Sequence, residues 1–238
     1  MDNLKGKQVL LAGATGGIGA ALAKLLHASG AKLFLTGRDE EKLAAVAAAS
    51  GIPAEQVFAA DLTNAPEVGE LKEKYFLVFP AIDILINASG IGIIKPFETL
   101  TQEEMERSLA SNLMIPFLLL QQFLPAMKTA KSGLIINLPG VLGKVPMAGA
   151  AAYSASKYGL LGMMQSIREE LKRTEIRITN VFMGGVDSAF WDTIDLRVQR
   201  DKMISSQEAA KAIWFLCQQP ANAVVSEMVL QPFNHQAI

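Results

Sequence analysis

Ala12-Gly13-Ala14-Thr15-Gly16-Gly17-Ile18-Gly19 joins a short apolar run, Gln8 to Ala12, to an amphipathic one, Ile18 to Ala28. The short apolar first run and the longer amphipathic second one predict a strand, a turn and a helix. Glycines let such a turn adopt positive φ and let the backbone approach a ligand closely, while the first helical N–H groups face whatever lies beyond them. A pyrophosphate is the natural occupant, because its negative charge meets free donors and the positive end of the helix dipole. Gly13, Thr15, Gly16, Gly17, Ile18 and Gly19 are therefore expected to bind a nucleotide, although Gly-x-x-x-Gly-x-Gly differs from the usual Gly-x-Gly-x-x-Gly spacing.

Working outward, short apolar runs alternate with longer amphipathic ones. Strands are expected at Gln8 to Ala12, Lys32 to Thr36, Val57 to Ala60, Ile82 to Asn87, Leu134 to Leu138, Arg177 to Phe182 and Val224 to Leu230. Helices are expected at Ile18 to Ala28, Glu40 to Ala49, Gln102 to Lys128, Tyr153 to Arg173 and Gln207 to Gln218, with Thr101 and Glu104 forming a capping box. This order predicts an α/β fold, a single-domain, Rossmann-like, doubly wound, seven-stranded parallel sheet with helices on both faces. One domain is expected over 1–238, with a cofactor half over about 1–130 and a catalytic and substrate half over about 131–238.

Composition narrows the partners. The 238 residues carry 22 Lys+Arg against 23 Asp+Glu, which leaves no electrostatic footprint for nucleic acid or an anionic membrane. One cysteine, Cys217, excludes an internal disulfide framework, and two distant histidines, His27 and His235, supply no metal cluster, so no metal is expected. The N-terminus lacks a hydrophobic signal core and the apolar run Leu113 to Leu120 is too short to span a membrane. A cytoplasmic protein acting on a small molecule is expected.

At the end of the second expected strand, a carboxylate would hold the adenosine ribose and select NAD. Thr36-Gly37-Arg38 stands there instead, and a guanidinium can grip a 2′-phosphate in bidentate fashion, so NADP(H) is favoured over NAD(H). Two alternatives stay open: Arg38 as a plain surface charge, and Asp39 holding the ribose rather than capping the next helix.

Further along, Tyr153 and Lys157 lie four residues apart, on one face if the segment is helical. A cation beside a phenol favours phenolate and lowers its pKa from about 10. Upstream, Asn112 precedes Pro116, which has no N–H for the Asn112 carbonyl. A kinked helix with a free carbonyl is expected there.

The glycine turn followed by Tyr153-x-x-x-Lys157 resembles the short-chain dehydrogenase/reductase family over nearly the whole chain. The resemblance includes Asp61-Leu62, Asn87-Ala88-Ser89-Gly90, Asn112 and Gly184-Gly185-Val186. It implies that Asp61 and Leu62 face the adenine, that Asn87 and Ala88 border the coenzyme, and that Gly184 and Val186 lie near the nicotinamide carboxamide. It further implies Tyr153 as general acid/base, Lys157 as the group that lowers its pKa and binds the nicotinamide ribose, and Asn112 as the holder of a proton-relaying water. The activity implied is hydride transfer between nicotinamide and a carbonyl or alcohol.

The pattern breaks 13 residues before Tyr153, where the family usually places a serine and this chain has Gly140. Losing one donor to a developing oxyanion slows turnover about 10²- to 10³-fold. A water, an activated substrate or loss of catalysis in favour of a nucleotide sensor or scaffold are the open readings. Lesser departures are Ala12, Ala88 and Met183, each losing a supporting side chain or rigid turn. Pocket walls are expected at Ile91 to Phe97, Val141 to Ala148 and Ser188 to Ile204, the last being either a lid or a surface helix. Apolar side chains on the two long helices, including Leu118 to Leu120, Phe123, Leu160, Leu161, Met163 and Met164, predict a homodimer or homotetramer. A reductase of acyl groups on a carrier protein, docked through Lys128, Lys131 and Lys172, is the subclass alternative.

Overall fold

The computed structural model of the protein describes residues 4–234; His235 and the residues before Leu4 lie outside the described part. Seven strands form one sheet: β1 (Gln8–Ala12), β2 (Lys32–Gly37), β3 (Val57–Ala59), β4 (Ile84–Asn87), β5 (Ser132–Asn137), β6 (Glu175–Met183) and, after a separate two-stranded pair, β9 (Glu227–Leu230). They run in the order β3-β2-β1-β4-β5-β6-β9, and every neighbouring pair is parallel. The strand order reverses between β1 and β4, which is where open α/β sheets leave a crevice.

Both faces of the sheet are buried, so the strands read as continuous apolar runs rather than alternating ones. Val9, Leu11, Leu33, Leu35, Ile86 and Ile136 pack with α1 (Gly17–Ala28), α2 (Glu40–Ser50) and α7 (Ser206–Leu216). Leu10, Phe34, Leu85, Ile135 and Ile178 pack on the opposite side with α3 (Ala65–Val78), α5 (Ile115–Ala130) and α6 (Ala151–Glu170). The α3 helix is absent from the sequence expectation because five charged residues interrupt its apolar stripe; Val68, Leu71 and Tyr75 nevertheless bury one face. Its start is fixed by Pro66 in the first turn, where no N–H is needed.

The expected helix from Gln102 to Lys128 is not continuous. It divides into α4 (Gln102–Leu109), a π-helical turn (Ala110–Met114) and α5. In the π turn the Ile115 N–H donates to the Ala110 carbonyl, five residues back, so the regular four-residue ladder is interrupted just before Pro116. The Thr101–Glu104 capping box forms as expected. Gln102–Ala130 together would be long and apolar enough to cross a membrane, yet Leu119, Leu120, Phe123 and Met127 are core residues of this domain.

Ser188 to Ile204 is not a surface helix. It forms two 3-10 turns, Ala189–Thr193 and Arg200–Lys202, and its ends are tied by a parallel pair of short strands, β7 (Val186–Asp187) and β8 (Ile204–Ser205). The oligomer expectation also changes in detail: Leu118, Leu119, Leu120, Phe123, Leu160 and Met164 are all buried within the single chain.

Candidate active site

The segments that follow β1, β4, β5 and β6 converge on a cavity of about 780 Å³. A smaller cavity of about 160 Å³ continues it toward β2, sharing Thr15, Gly16, Ala88, Ser89 and Gly90.

The glycine turn is built by close approaches. A Cβ on Gly13 would lie 2.6 Å from the Ala88 backbone, and one on Gly19 would lie 2.2 Å from the Gly13 carbonyl oxygen. Gly17 admits a different neighbour, since its Cβ would fall 2.6 Å from Ser206 Oγ at the start of α7. Gly16 caps α1 without any side-chain hydrogen bond, and the first turn carries no acidic residue. Donors at the start of α1 are thus free of a side-chain competitor, which suits a phosphate group. Thr15, Gly16, Gly17, Ile18 and Gly19 line the large cavity, and Gly13 lines the small one.

At the far end of the small cavity lie exposed Arg38 and buried Leu62. Asp39 is engaged as the cap of α2: its carboxylate accepts from the Lys42 N–H at 2.9 Å and pairs with Lys42 Nζ at 3.0 Å. Asp61 lies outside both linings. Its carboxylate accepts from the backbone and hydroxyl of Thr63, which, together with the nearby Arg38 charge, hold it below the ordinary carboxylate range. Asn87 is buried beneath the loop and accepts from Ser89 rather than facing the cleft, whereas Ala88 lines both cavities.

Tyr153 and Lys157 share one face of α6, as their spacing requires. Lys157 Nζ lies 5.5 Å from the Tyr153 ring centroid and donates to the Leu138 carbonyl at 3.0 Å. Lys157 is only 3% exposed, and burial lowers its pKa to about 8. Burial also raises the Tyr153 phenol above its ordinary value. Desolvation of the phenolate is the cause, and it acts against the lowering expected from a neighbouring ammonium. Both residues line the large cavity together with Gly184 and Val186.

Asn112 stands behind this wall. Its Oδ1 accepts from the Ile91 N–H at 3.0 Å, and its Nδ2 donates to the Ile91 carbonyl at 3.0 Å and to Ser156 Oγ at 3.1 Å. This two-way clamp fixes the loop after β4 against α6. A Cβ on Gly90 would lie 2.8 Å from Asn112 Oδ1 and 3.3 Å from Lys157 Nζ, so a glycine keeps the three segments together.

Gly140 faces Tyr153. A Cβ there would sit 3.5 Å from Tyr153 Oη and 3.6 Å from the Met183 carbonyl oxygen, so a side chain has room. The backbone is the obstacle: φ 71° and ψ 166° lie in a region occupied essentially by glycine alone.

The sequence pattern of the short chain dehydrogenases matches residues 7–198. The chain belongs to that family. Among curated relatives, an uncharacterised oxidoreductase of Staphylococcus saprophyticus is 32% identical over 235 residues, covering 98% of this chain and 100% of the relative. A metagenomic short-chain oxidoreductase solved in complex with NADP is 35% identical, with TM-score 0.82 and coverage of 97% and 99% of the two chains. An actinorhodin polyketide ketoreductase variant solved with NADPH is 25% identical, with TM-score 0.83 and 97% of each chain covered. As a short-chain dehydrogenase, the protein is an oxidoreductase whose close structural neighbours carry NADP.

Sequence reasoning did not single out the tail after β9, where Gln231, Pro232 and Asn234 line the large cavity. No local signal marks them; they arrive because a Cβ on Gly184 would be 2.7 Å from Pro232 Cδ, so glycine admits the tail. Lys128, Lys131 and Lys172 lie at the amino ends of β5 and β6, opposite the cleft, and Lys128 and Lys172 pair with Glu170 and Glu169.

Proposed function

We propose that this short-chain dehydrogenase interconverts a carbonyl compound and its alcohol with NADP(H), using Tyr153 as the general acid/base. The observation that carries this reading is the meeting of Tyr153, Lys157 and the glycine turn in one cleft. The nicotinamide, when bound, supplies or accepts the hydride. Tyr153 Oη gives its proton to the carbonyl oxygen in reduction and takes it from the alcohol in oxidation. Lys157, protonated below its pKa of about 8, favours the phenolate and offers its N–H groups to the nicotinamide ribose. Asn112 holds the loop beside Lys157, and its carbonyl, denied the usual partner by Pro116, accepts from a water that exchanges protons with Lys157.

The NADP(H) preference is supported by Arg38 at the end of the small cavity and by Asp39 being engaged as a helix cap. Arg38→Ala is expected to weaken NADPH about tenfold and leave NADH unaffected, on the scale of one hydrogen bond to a charged group. An NADH preference unchanged by the substitution would overturn the assignment.

The decisive experiment follows NADPH oxidation over a panel of carbonyl compounds. Tyr153→Phe should lose activity by about 10²- to 10⁴-fold, the usual worth of a positioned proton donor. A second reading, a nucleotide-responsive binding protein, is favoured by Gly140, which offers no hydroxyl to a substrate oxygen. Tight NADPH binding without turnover of any carbonyl by the wild type would support that reading and defeat the first. Reduction of a carrier-bound acyl group has less support, since the three lysines suggested for docking lie at the other end of the sheet. A homo-oligomer in a cytoplasmic setting remains part of the proposal; exposed Met114 and Tyr158 mark the helical face for it, and a monomeric mass by light scattering would remove it.

A further inference from the structure

The carbonyl–alcohol reading can be carried further, because the wall of the large cavity is divided by chemistry. Near Tyr153 it is apolar. Phe190 fills a notch left by Gly92, where a Cβ would lie 2.4 Å from Phe190 Cζ and 2.6 Å from Ile194 Cδ1. The Phe190 ring meets Tyr153 edge-on at 5.9 Å between centroids and is backed by Trp191 at 5.4 Å. Trp191 is anchored in turn, its Nε1–H donating to the Val186 carbonyl at 3.0 Å. Leu142, Val145 and Met147 complete this inner wall.

Toward the mouth the wall is cationic. Arg197 and Lys202 line the same cavity, and among the described residues no aspartate or glutamate does. The segment between β7 and β8 holds a third cation, Arg200, and its situation is different. Arg200 pairs with Asp192 and lies 3.8 Å from Asp187 Oδ1, so its charge is neutralised within the segment. Arg197 and Lys202 have no ion pair among the described residues. The phosphates of a dinucleotide would have other donors, at the start of α1 and at Arg38, the latter in the smaller cavity, which neither Arg197 nor Lys202 lines.

We infer that the substrate is an amphipathic anion, with a compact apolar carbonyl end held against the wall that Tyr153 and Phe190 form together and a carboxylate or phosphate at its other end meeting Arg197 and Lys202. The inference rests on the proposed carbonyl–alcohol chemistry for its orientation, and on the cavity wall alone for its charge. Because both cations are exposed, their attraction is screened by salt and individually modest, so it selects among substrates rather than holding one tightly.

The test uses three aryl carbonyl probes with the same apolar body, ending in a carboxylate, a phosphate ester or a neutral primary amide. Turnover is measured with NADPH at low salt and at about 0.5 M salt, where the screening length is only a few ångströms. Binding of each probe to the NADPH complex is measured separately by calorimetry. The expected result is a preference for the anionic probes of about tenfold at low salt, falling toward one in high salt and in Arg197→Glu/Lys202→Glu, and largely kept in Arg197→Lys. The carboxylate and phosphate arms separate the two sources of charge. Equal use or binding of the amide would overturn the inference, as would a double variant that loses NADPH affinity in place of probe affinity. Preferential binding of anions without turnover would leave the inference standing and defeat the redox reading.

Discussion

Two glycines beyond strand ends, Gly13 after β1 and Gly140 after β5, share a positive φ of nearly the same size, 78° and 71°. Their surroundings are opposite. At Gly13 the missing side chain is replaced by another part of the protein, since the backbone of Ala88 and Ser89 lies 2.6 Å from where a Cβ would be. At Gly140 an added Cβ would make only ordinary contacts, 3.5 Å from Tyr153 Oη and 3.6 Å from the Met183 carbonyl oxygen. The first glycine is imposed by packing and the second by backbone conformation alone. A glycine in a sequence therefore carries two meanings, and only the neighbours across the turn tell them apart.

The comparison breaks most visibly at Gly13. Gly13→Ala must displace backbone of the loop after β4, and the substitution should cost about 3 kcal/mol or more in unfolding free energy while abolishing measurable NADPH binding. Chemical denaturation and a coenzyme titration read both effects, and a variant that unfolds and binds like the wild type would show that the two turns are equivalent after all.

Lys157, next to Gly140's segment through its bond to the Leu138 carbonyl, gives a prediction in pH. Its folded pKa of about 8 lies below the ordinary lysine value of 10.5, so between those two values the unfolded chain binds more protons than the folded one. Stability from this residue therefore rises with pH across that window, and the full penalty of the buried charge applies below about pH 8. Lys157→Met should be more stable than the wild type at pH 7 by up to about 3 kcal/mol, the equivalent of that pKa displacement, with the gap closing toward pH 10.5. A constant gap across the range would mean that the ammonium is not desolvated.

The smallest effect is expected at Gly140 itself, where it sharpens the contrast. Gly140→Ala and Gly140→Ser should each lose about 1–3 kcal/mol of stability, the strain of that backbone region, and by similar amounts because both have room. Any excess of turnover in the serine variant over the alanine variant isolates the hydroxyl from the strain. Equal turnover in the two would mean that the substituted backbone no longer presents position 140 to Tyr153.

Much of the fold was legible because its signals are local. The β1 strand was expected at its observed bounds, and the sheet follows from apolar runs that both faces bury. Tyr153 and Lys157 were legible from helical spacing, and Arg38 from its place at a strand end. What escaped depends on contacts between distant segments. The π turn around Asn112 arises where Pro116 denies a bond and Ile115 makes another. Neither the tail residues beyond β9 nor the β7–β8 pair shows a periodicity, because each is held by a partner far away in the chain. The burial that raises the Tyr153 phenol is hidden for a similar reason: spacing reveals a nearby charge but not how much water the fold removes.

The parallel register of β7 and β8, Val186 beside Ile204 and Asp187 beside Ser205, makes a closed neck for the span they bracket. Lengthening a stretch whose ends are already fastened costs only about 0.6 kcal/mol for each doubling. Changes inside the bracket thus leave the seven-stranded sheet undisturbed. The choice of what reaches Tyr153 can therefore be retuned by the length of that span, provided that Phe190, which rests on the Tyr153 ring and over Gly92, is kept in place.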